Sequence, residues 1–366
     1  MRLSKFDLQS QRRGFDFPLL FTVGLLIIFG LVMVYDASSV QATRDFNDSY
    51  YYIRQQVIWV IIGCLSMIFF TRFDYKKLKF LGLPLLLISF FLLLAVFIPG
   101  LGVSGGGAHR WLNLGPITIQ PAEIIKLTGV IFLASVLEKK VRLLPFIVVV
   151  LAYTIITAIL QKDLGSTLVF VATATFLYFA SGGSLWHFII ALPVGLLALI
   201  LLIFTSGYRV KRVMAFLDPF SDTQGYSYHI LQILIALGSG GLFGLGLGHS
   251  RQKFEYIPEV STDSIFAIVG EELGLVGGIL LISLFVVLLI RGFKIAQNCT
   301  DNFGKILSLG LTSWLGIQII INLSSMVALM PLTGVPLPFI SYGGSALVAN
   351  LTAVGILLNI SKQNNS

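Results

Sequence analysis

Stretches of about 20 apolar residues, the length that an α-helix needs to cross the hydrocarbon core of a bilayer, recur along this chain. Hydrophobic residues make up 56% of its 366 residues and charged residues only 11%, which leaves no room for a large soluble domain. Lipid tolerates only helices and closed barrels, because every backbone hydrogen bond must be satisfied within the protein. The sequence therefore predicts an all-α polytopic membrane protein.

The apolar stretches divide the chain into about ten predicted transmembrane helices. The first is too long for a signal-peptide core and no convincing cleavage site follows it, so we interpret it as an uncleaved helix. A single membrane domain then fills residues 1–366, with tails at 1–16 and 362–366 and a large loop at 206–263 between helices seven and eight. The predicted spans are 17–37, 54–71, 79–98, 120–137, 143–160, 164–181, 184–205, 264–290, 305–329 and 344–361.

The distribution of basic residues predicts the orientation of these helices. Fifteen of the 25 Lys and Arg residues fall on the side of the N-terminus, nine fall on the other side and Lys126 lies inside a span. Since Lys and Arg concentrate in cytoplasmic loops, both termini are predicted to be cytoplasmic and the large loop to face outward. The net charge of +8 is explained in the same way, together with contact to anionic lipid, and it does not indicate nucleic-acid binding.

Two apolar segments are unsuited to a continuous spanning helix. Residues 230–247 contain five glycines, which favours a re-entrant or interfacial segment; a full span there would move the C-terminus outside. Residues 330–344 contain three prolines and three glycines, so a backbone at that depth must be buried in protein or line a cavity. By contrast, the spacing of Gly270, Gly274 and Gly278 predicts one small-residue stripe on a helix, used for close packing.

Asp263 is the strongest candidate for chemistry, and two interpretations of it are open. It follows Ser261 and Thr262 directly before an apolar run, where an acid in the first turn commonly stabilises a helix start. It also lies, with Glu259, at the predicted outer boundary of the membrane, where carboxylates are costly and suggest a function. A lipid-linked sugar would present its head group there, and a carboxylate could take a proton from a sugar hydroxyl as general base.

A second polar group lies inside the apolar region. Glu123 and Lys126 are three residues apart, so they share a helix face and can form an ion pair. Asp163, at the outer end of the fifth helix or the start of the sixth, could join that pair. Either the pair is a structural link between helices, or it lines a polar cavity.

Basic residues cluster on the large loop, and such a cluster could hold a pyrophosphate. A solvated or head-group-facing surface is the alternative interpretation. Arg110 and Trp111, in a glycine-rich loop, could face a ligand, although Trp is also a common interfacial anchor. The cluster comprises Arg209, Lys211, Arg212, Arg251 and Lys253.

Five ordered blocks over nearly the whole chain resemble one family, the shape, elongation, division and sporulation (SEDS) proteins, which include FtsW, RodA and SpoVE. Within that family, the run GLGHSRQKFEYIPE at 246–259 resembles division members such as FtsW more than RodA. The blocks are GLVMVYDASS at 30–39, GAHRWLNLGPITIQPAEIIKL at 107–127, QKDLGS at 161–166, YIPEVSTDSIFAIVGEELG at 256–274 and GVPLPFISYGGSALVANL at 334–351.

The resemblance implies a multi-pass protein of the bacterial cytoplasmic membrane that polymerises lipid II into glycan strands and releases undecaprenyl pyrophosphate, in cell division or elongation. It implies a class B penicillin-binding protein as partner, with other division or elongation proteins, and Asp263 as the essential aspartate. No cofactor is predicted, with a divalent cation such as Mg²⁺ or Mn²⁺ left open. Predicted substrate-binding residues are Arg110, Trp111, Glu123, Lys126, Asp163, Arg209, Arg212, Lys253 and Glu259.

Two departures from the family pattern are expected to matter locally. Ser261 stands where the family commonly has His, which weakens any role of that position in proton transfer. Lys162 stands in place of a proline, which is expected to change the geometry near Asp163. A lipid II flippase, with polar residues lining a path, and a non-catalytic division scaffold remain the competing hypotheses.

Overall fold

Long apolar helices account for most of the residues that the structure, a computed structural model, describes, namely 14–105, 108–115, 117–139, 141–254 and 257–364. Most of the predicted N-terminal tail and the last two residues of the C-terminal tail lie outside the described residues. The helices are α1 (Phe17–Phe46), α2 (Tyr51–Arg72), α3 (Tyr75–Ala95), α4 (Pro121–Leu137), α5 (Leu143–Thr154), α6 (Leu164–Ala180), α7 (Leu185–Phe204), α8 (Gly207–Leu217), α9 (Tyr228–Ser239), α10 (Ile265–Asn298), α11 (Asn302–Met326) and α12 (Gly344–Asn364).

Each predicted span coincides with one of these helices, which confirms the all-α polytopic class. Within the described ranges, eight helices are long and apolar enough to cross a membrane. One of the eight is α5 together with its π-helical continuation, Ile155–Leu160. Helices α4 and α6 have 17 residues each and fall just short of that length, so the count of ten spans stays a prediction.

The predicted large loop contains two helices, α8 and α9. Helix α9 has 12 residues and would extend only about 18 Å, against a hydrocarbon core about 30 Å thick. An apolar helix of that length does not span a bilayer. The alternative in which this segment adds a further crossing is therefore not supported.

A small antiparallel sheet precedes α4, and the sequence reasoning did not predict it. Its strands are β1 (Gly102–Gly105), β2 (Ala108–Asn113) and β3 (Thr118–Ile119), in the order β1-β2-β3. Trp111 pairs with Val103 across the first ladder. The sheet thereby fixes the direction of the Arg110–Trp111 dipeptide ahead of α4.

The protein core lies around α4, α11 and α12, and the peripheral helices face lipid. Almost all of α12 and most of α11 are buried, whereas no residue of α7 is buried. Helix α12 packs mainly on α2, α10 on α11, and α3 on α4.

Residues 327–343, here named the central segment, join α11 to α12 without a helix. The segment passes so close to α1 that a Cβ at Gly30 would lie 2.3 Å from the carbonyl oxygen of Phe339. Phe339 and Ile340 are buried, as is Ser341. Of the two alternatives predicted for this proline-rich backbone, burial in protein therefore holds for its second half, whereas residues 330–334 are half-buried or exposed.

Helix α10 is broken at Gly274, whose φ of 65° and ψ of −163° are open to glycine alone. The glycine-rich segment after α9 satisfies the backbone groups that the break exposes. The nitrogens of Leu275 and Val276 donate to Gly241 (3.0 Å) and Leu242 (3.1 Å). The nitrogens of Leu245 and Gly246 donate to the carbonyls of Glu271 and Glu272, at 3.0 and 2.9 Å.

The predicted glycine stripe on this helix was therefore wrong. A stripe with a period of four needs an unbroken helix, and Gly274 is not helical. A Cβ at Gly274 would lie 2.4 Å from the nitrogen of Gly244, so this glycine admits a second backbone at the break. The break leaves the first nine residues of α10 as a separate half-helix, with Asp263 just ahead of it.

Candidate functional site

Asp263 ends a tight loop ahead of α10 and is only 6% exposed. Ser264 is the N-cap of the helix, and the Asp263 carboxylate caps no helical N–H group. It accepts instead from Thr262 Oγ1 at 3.4 Å, and Thr262 Oγ1 also donates to Glu259 Oε2 at 3.1 Å. The helix-capping interpretation of Asp263 therefore fails, and its carboxylate is held close to Glu259.

Burial sets the acidity of this carboxyl group. It raises the pKa of Asp263 to about 6, and the charge of Glu259 adds to the increase while Arg212 opposes it. Among the described residues, no Lys or Arg forms an ion pair with Asp263. A carboxylate whose pKa lies near the working pH, and which has one cation as a neighbour, has the properties of a general base.

Arg212 faces the same point as Asp263. A Cβ built at Gly334, where φ is 71°, would lie 3.8 Å from both Arg212 Nη1 and Asp263 Oδ2. Arg212 Nη1 donates to the carbonyl of Leu332 at 2.8 Å, and its guanidinium stacks on Tyr208. A positive charge and a base thus flank one glycine of the central segment, with no side chain between them.

Backbone contacts hold the Asp263 loop from two sides. Asn322 Nδ2 donates to the carbonyl of Asp263 at 2.8 Å and to that of Val335 at 2.8 Å. The nitrogen of Tyr342 donates to the carbonyl of Ser261, also at 2.8 Å. The central segment and Asn322 therefore hold the Asp263 loop in position.

Glu123 and Lys126 form the predicted ion pair, and both are 1% exposed. Lys126 Nζ lies 2.8 Å from Glu123 Oε1 and 2.9 Å from Gln318 Oε1. The ammonium also lies 5.7 Å from the centre of the Trp314 ring. The donors of Lys126 are thus directed at protein groups, and the predicted contact of this pair with substrate stays a prediction.

Asp163 does not join that pair, contrary to expectation. It is the N-cap of α6, where its carboxylate accepts from the nitrogen and the hydroxyl of Ser166 at 3.1 and 2.9 Å. Gln120 Nε2 also approaches it, at 3.4 Å. Lys162 beside it has a φ of 55°, which the ring of proline forbids. A proline at position 162 would thus require a different backbone conformation, and the expected change of geometry near Asp163 stays a prediction.

Arg110 and Arg209 hold loop backbone rather than facing Asp263. Arg110 donates to the carbonyls of Gln161 (3.2 Å) and Lys162 (2.6 Å). Arg209 is buried and donates to the carbonyls of Ala158 (2.5 Å) and Leu202 (2.8 Å). Both guanidiniums thus donate hydrogen bonds to carbonyls around the end of the π-helical turn. Their predicted contact with a pyrophosphate is not tested.

Lys253 belongs to a separate polar cluster formed with Asp36 of α1 and with the part of α10 just before its break. Its ammonium lies 2.8 Å from Asp36 and 3.3 Å from Glu272. Glu271 accepts from the nitrogen of Arg251 at 3.1 Å and from the hydroxyl of Ser250. Through Glu271 and Glu272, this cluster anchors the loop after α9.

Sequence reasoning missed Gln318, Asn322 and Asp36. The signal for the first two was available, since amide side chains four residues apart share a face, and such groups in an apolar helix need partners. Their partners are backbone carbonyls of distant segments, which no spacing rule identifies. Asp36 was missed because its partner, Lys253, is 217 residues away along the chain, so no local spacing connects the two.

The divalent cation left open by the sequence has no ready-made cluster of protein ligands among the residues that the structure describes. No three His, Cys, Asp or Glu side chains among them are grouped closely enough to hold one. Asp263 has Glu259 as its acidic neighbour and Arg212 as its basic one. The divalent cation left open by the sequence stays a prediction, and no chemical step is assigned to it.

Comparison with known proteins gives consistent matches over the full chain. A family model described as a cell cycle protein, FtsW/RodA/SpoVE, matches residues 17–366. Stage V sporulation protein E of Bacillus subtilis is 41% identical over 356 residues, covering 95% of this chain and 97% of the relative. A probable peptidoglycan glycosyltransferase FtsW of Geobacter metallireducens is 39% identical over 364 residues, covering 98% of this chain and 97% of the relative.

Solved structures show the same architecture. A chain from a peptidoglycan synthase complex, studied for its coordination of polymerization and crosslinking, aligns with a TM-score of 0.76 at 29% identity. The alignment covers 96% of this chain and 98% of that one. The rod shape determining protein RodA of Thermus thermophilus aligns with a TM-score of 0.71 at 28% identity, covering 96% of this chain and 97% of RodA.

Proposed function

Because this chain belongs to the FtsW, RodA and SpoVE family, it is a peptidoglycan glycosyltransferase, and we propose that it polymerises lipid II with Asp263 as the general base. The observation that carries the assignment of the base is the nearly buried Asp263 carboxylate, which faces Arg212 across Gly334. The family names are consistent with a role in cell division or cell shape. The sequence at 246–259 favours the division members of the family, such as FtsW.

In the proposed reaction, Asp263 takes the proton of the acceptor sugar's 4-hydroxyl as its oxygen attacks the anomeric carbon of the lipid-linked donor. A new C–O bond forms there, and the bond to the pyrophosphate oxygen breaks, so undecaprenyl pyrophosphate leaves with the bonding electrons. A single displacement inverts the anomeric centre. Positioning of the two sugars and stabilisation of the developing negative charge supply most of the rate.

Arg212 is the basic residue best placed to meet the leaving pyrophosphate. Its guanidinium lies near Asp263, and a guanidinium binds phosphate oxygens through a planar set of donors. Arg110, Arg209 and Lys253 direct donors at protein groups, as Arg212 does at the carbonyl of Leu332, but of these four residues Arg212 alone has a charge that acts on Asp263. We therefore assign the direct pyrophosphate contact to Arg212 and a supporting role to the other three.

Membership of this family supports a proposal for the partner and for the location of the protein. The chain resembles a component of a peptidoglycan synthase complex, and we propose a class B penicillin-binding protein as its partner, which would cross-link the strands. The protein is a multi-pass membrane protein. We propose the bacterial cytoplasmic membrane as its location, with both termini cytoplasmic and the Asp263 loop outside.

Polymerisation of lipid II in detergent tests this function against the flippase hypothesis. The purified protein, with its class B partner, is expected to convert lipid II into a ladder of glycan chains resolved on a gel. A flippase needs a membrane and makes no chains. The absence of products from protein that is folded and bound to its partner would overturn the proposed function.

The rate of polymerisation is expected to fall on the acid side of about pH 6, because burial raises the pKa of Asp263 to about 6 and a base acts only when deprotonated. Initial rates measured from about pH 5 to pH 8 should decrease roughly tenfold per unit below the pKa. The Arg212→Gln variant should move this acid limb to higher pH, because it removes the cation that favours the charged form. An acid limb at the same pH in Arg212→Gln and in the parent protein would contradict the electrostatic interaction between Arg212 and Asp263.

A further inference from the structure

Two amide side chains of α11, Gln318 and Asn322, are not explained by the chemistry above. They are four residues apart and so lie on one face of the helix. Both are fully buried, although amides are costly to bury without partners. Their partners belong to the two parts of the site that lie apart in sequence, the Asp263 loop and the Glu123–Lys126 pair. We name Gln318 and Asn322 the α11 amide pair.

Asn322 uses both of its N–H groups. An amide nitrogen carries two hydrogens, and here one goes to the carbonyl of Asp263 and the other to that of Val335, each at 2.8 Å. The side chain therefore joins the backbone of the residue proposed as base to the central segment. Few groups other than an amide or a guanidinium could make this link from one nitrogen.

Gln318 makes the corresponding link one turn away. Its Nε2 donates to the carbonyl of Pro336 at 3.0 Å, which is the residue after Val335. Its Oε1 accepts from Lys126 Nζ at 2.9 Å and from Trp314 Nε1 at 3.1 Å. The buried ion pair is thereby connected, through Gln318, to the stretch of central segment that Asn322 holds.

We propose that Gln318 and Asn322 are positioning residues for Asp263, and that Glu123 and Lys126 act on the reaction through them without touching substrate. The continuous path runs from Glu123 through Lys126, Gln318, the Val335–Pro336 backbone and Asn322 to Asp263. This inference rests on the proposed function and adds the parts that hold the base in place. Small displacements of a catalytic group are costly, of the order of 100-fold for about 1 Å.

The test compares two Asn→Leu changes of nearly equal shape. Asn322→Leu removes the bridge to Asp263. Asn359→Leu is the matched control, because Asn359 is also buried and also joins two backbone groups, the nitrogen of Tyr75 (3.1 Å) and the carbonyl of Thr71 (2.8 Å). That bridge connects α2, α3 and α12 and does not involve the Asp263 loop.

Gln318→Glu is the second variant. Its carboxylate can still accept from Lys126 and Trp314, but it can no longer donate to Pro336. Asn322→Leu and Gln318→Glu are both expected to lower kcat for lipid II by about 10- to 100-fold and to change KM by less than about threefold. Asn359→Leu should lower the temperature of unfolding to a similar extent as Asn322→Leu, with kcat close to that of the parent protein.

The pH profile separates positioning from simple loss of fold. Loosening the Asp263 loop hydrates a carboxylate that faces only Arg212 and Glu259, so the acid limb should move to lower pH in Asn322→Leu and remain in place in Asn359→Leu. The proposal is overturned if Asn322→Leu and Gln318→Glu keep the parent kcat, or if their losses follow the folded fraction with an unmoved acid limb. Polymerisation at the parent rate by Asp263→Asn would instead refute the assignment of the base.

Discussion

Asp263→Asn is expected to lower the rate of lipid II polymerisation by about 10²- to 10⁴-fold, the range over which a general base accelerates a reaction. The amide keeps the size of the carboxylate and can still accept from Thr262, but it takes no proton at neutral pH. Purified variant and parent protein, each with the class B partner, would be compared by initial rates on the same lipid II preparation.

The same variant should fold at least as well as the parent protein. Burial disfavours the charged form of Asp263, as the raised pKa shows. A neutral side chain at this position therefore removes an unfavourable contribution to the free energy of folding at pH 7. An unchanged or higher temperature of unfolding together with lost activity would separate catalysis from folding. Asp222→Asn makes the same acid-to-amide change elsewhere in the outer loop and should retain the parent rate. Equal rates for the two variants would refute the role of Asp263.

Lys126→Met is expected to destabilise the protein by about 3–5 kcal/mol, because it leaves Glu123 charged and unpaired in the core. The free energy of unfolding in denaturant, or the temperature of unfolding in detergent, would measure the loss. The double variant Glu123→Gln/Lys126→Met removes both charges and should recover most of it, since two neutral side chains carry no unpaired charge.

A surface pair offers the matched control for this change. Lys79 Nζ lies 2.5 Å from Glu138 Oε2, but its side chain is 32% exposed. Water and salt screen such a pair, so Lys79→Met should cost no more than about 1 kcal/mol. A double variant as unstable as Lys126→Met alone would show that the cost arises from lost packing around Trp314, and not from an unpaired charge.

The helices could be predicted from local pattern. A run of apolar residues as long as α1 or α11 has few alternatives, because the backbone must satisfy itself in lipid. The Glu123–Lys126 pair was predictable for a similar reason, since residues three apart on one helix always lie on the same face. Each of these features depends on neighbours within one or two helical turns.

The break at Gly274 shows where local pattern fails. Gly270, Gly274 and Gly278 suit a continuous helix as well as a broken one, and their spacing alone favours the stripe. The broken form is selected by the segment after α9, which supplies the carbonyls of Gly241 and Leu242 to the freed nitrogens of α10. Those partners are more than 30 residues away along the chain and carry no side-chain signal.

For this protein, the order of apolar and polar residues was sufficient to predict a helical membrane protein, and five ordered sequence blocks indicated its family and, through that resemblance, Asp263 as the candidate base. Folding in three dimensions determined which groups Asp263 meets, because Arg212, Gly334 and Asn322 come from α8, the central segment and α11. It also redirected Arg209 and Lys253 to protein partners and linked Gln318 to Lys126. These contacts are largely hydrogen bonds from side chains to distant backbone carbonyls. Every residue carries a carbonyl, so the sequence does not reveal which carbonyl a given side chain will meet.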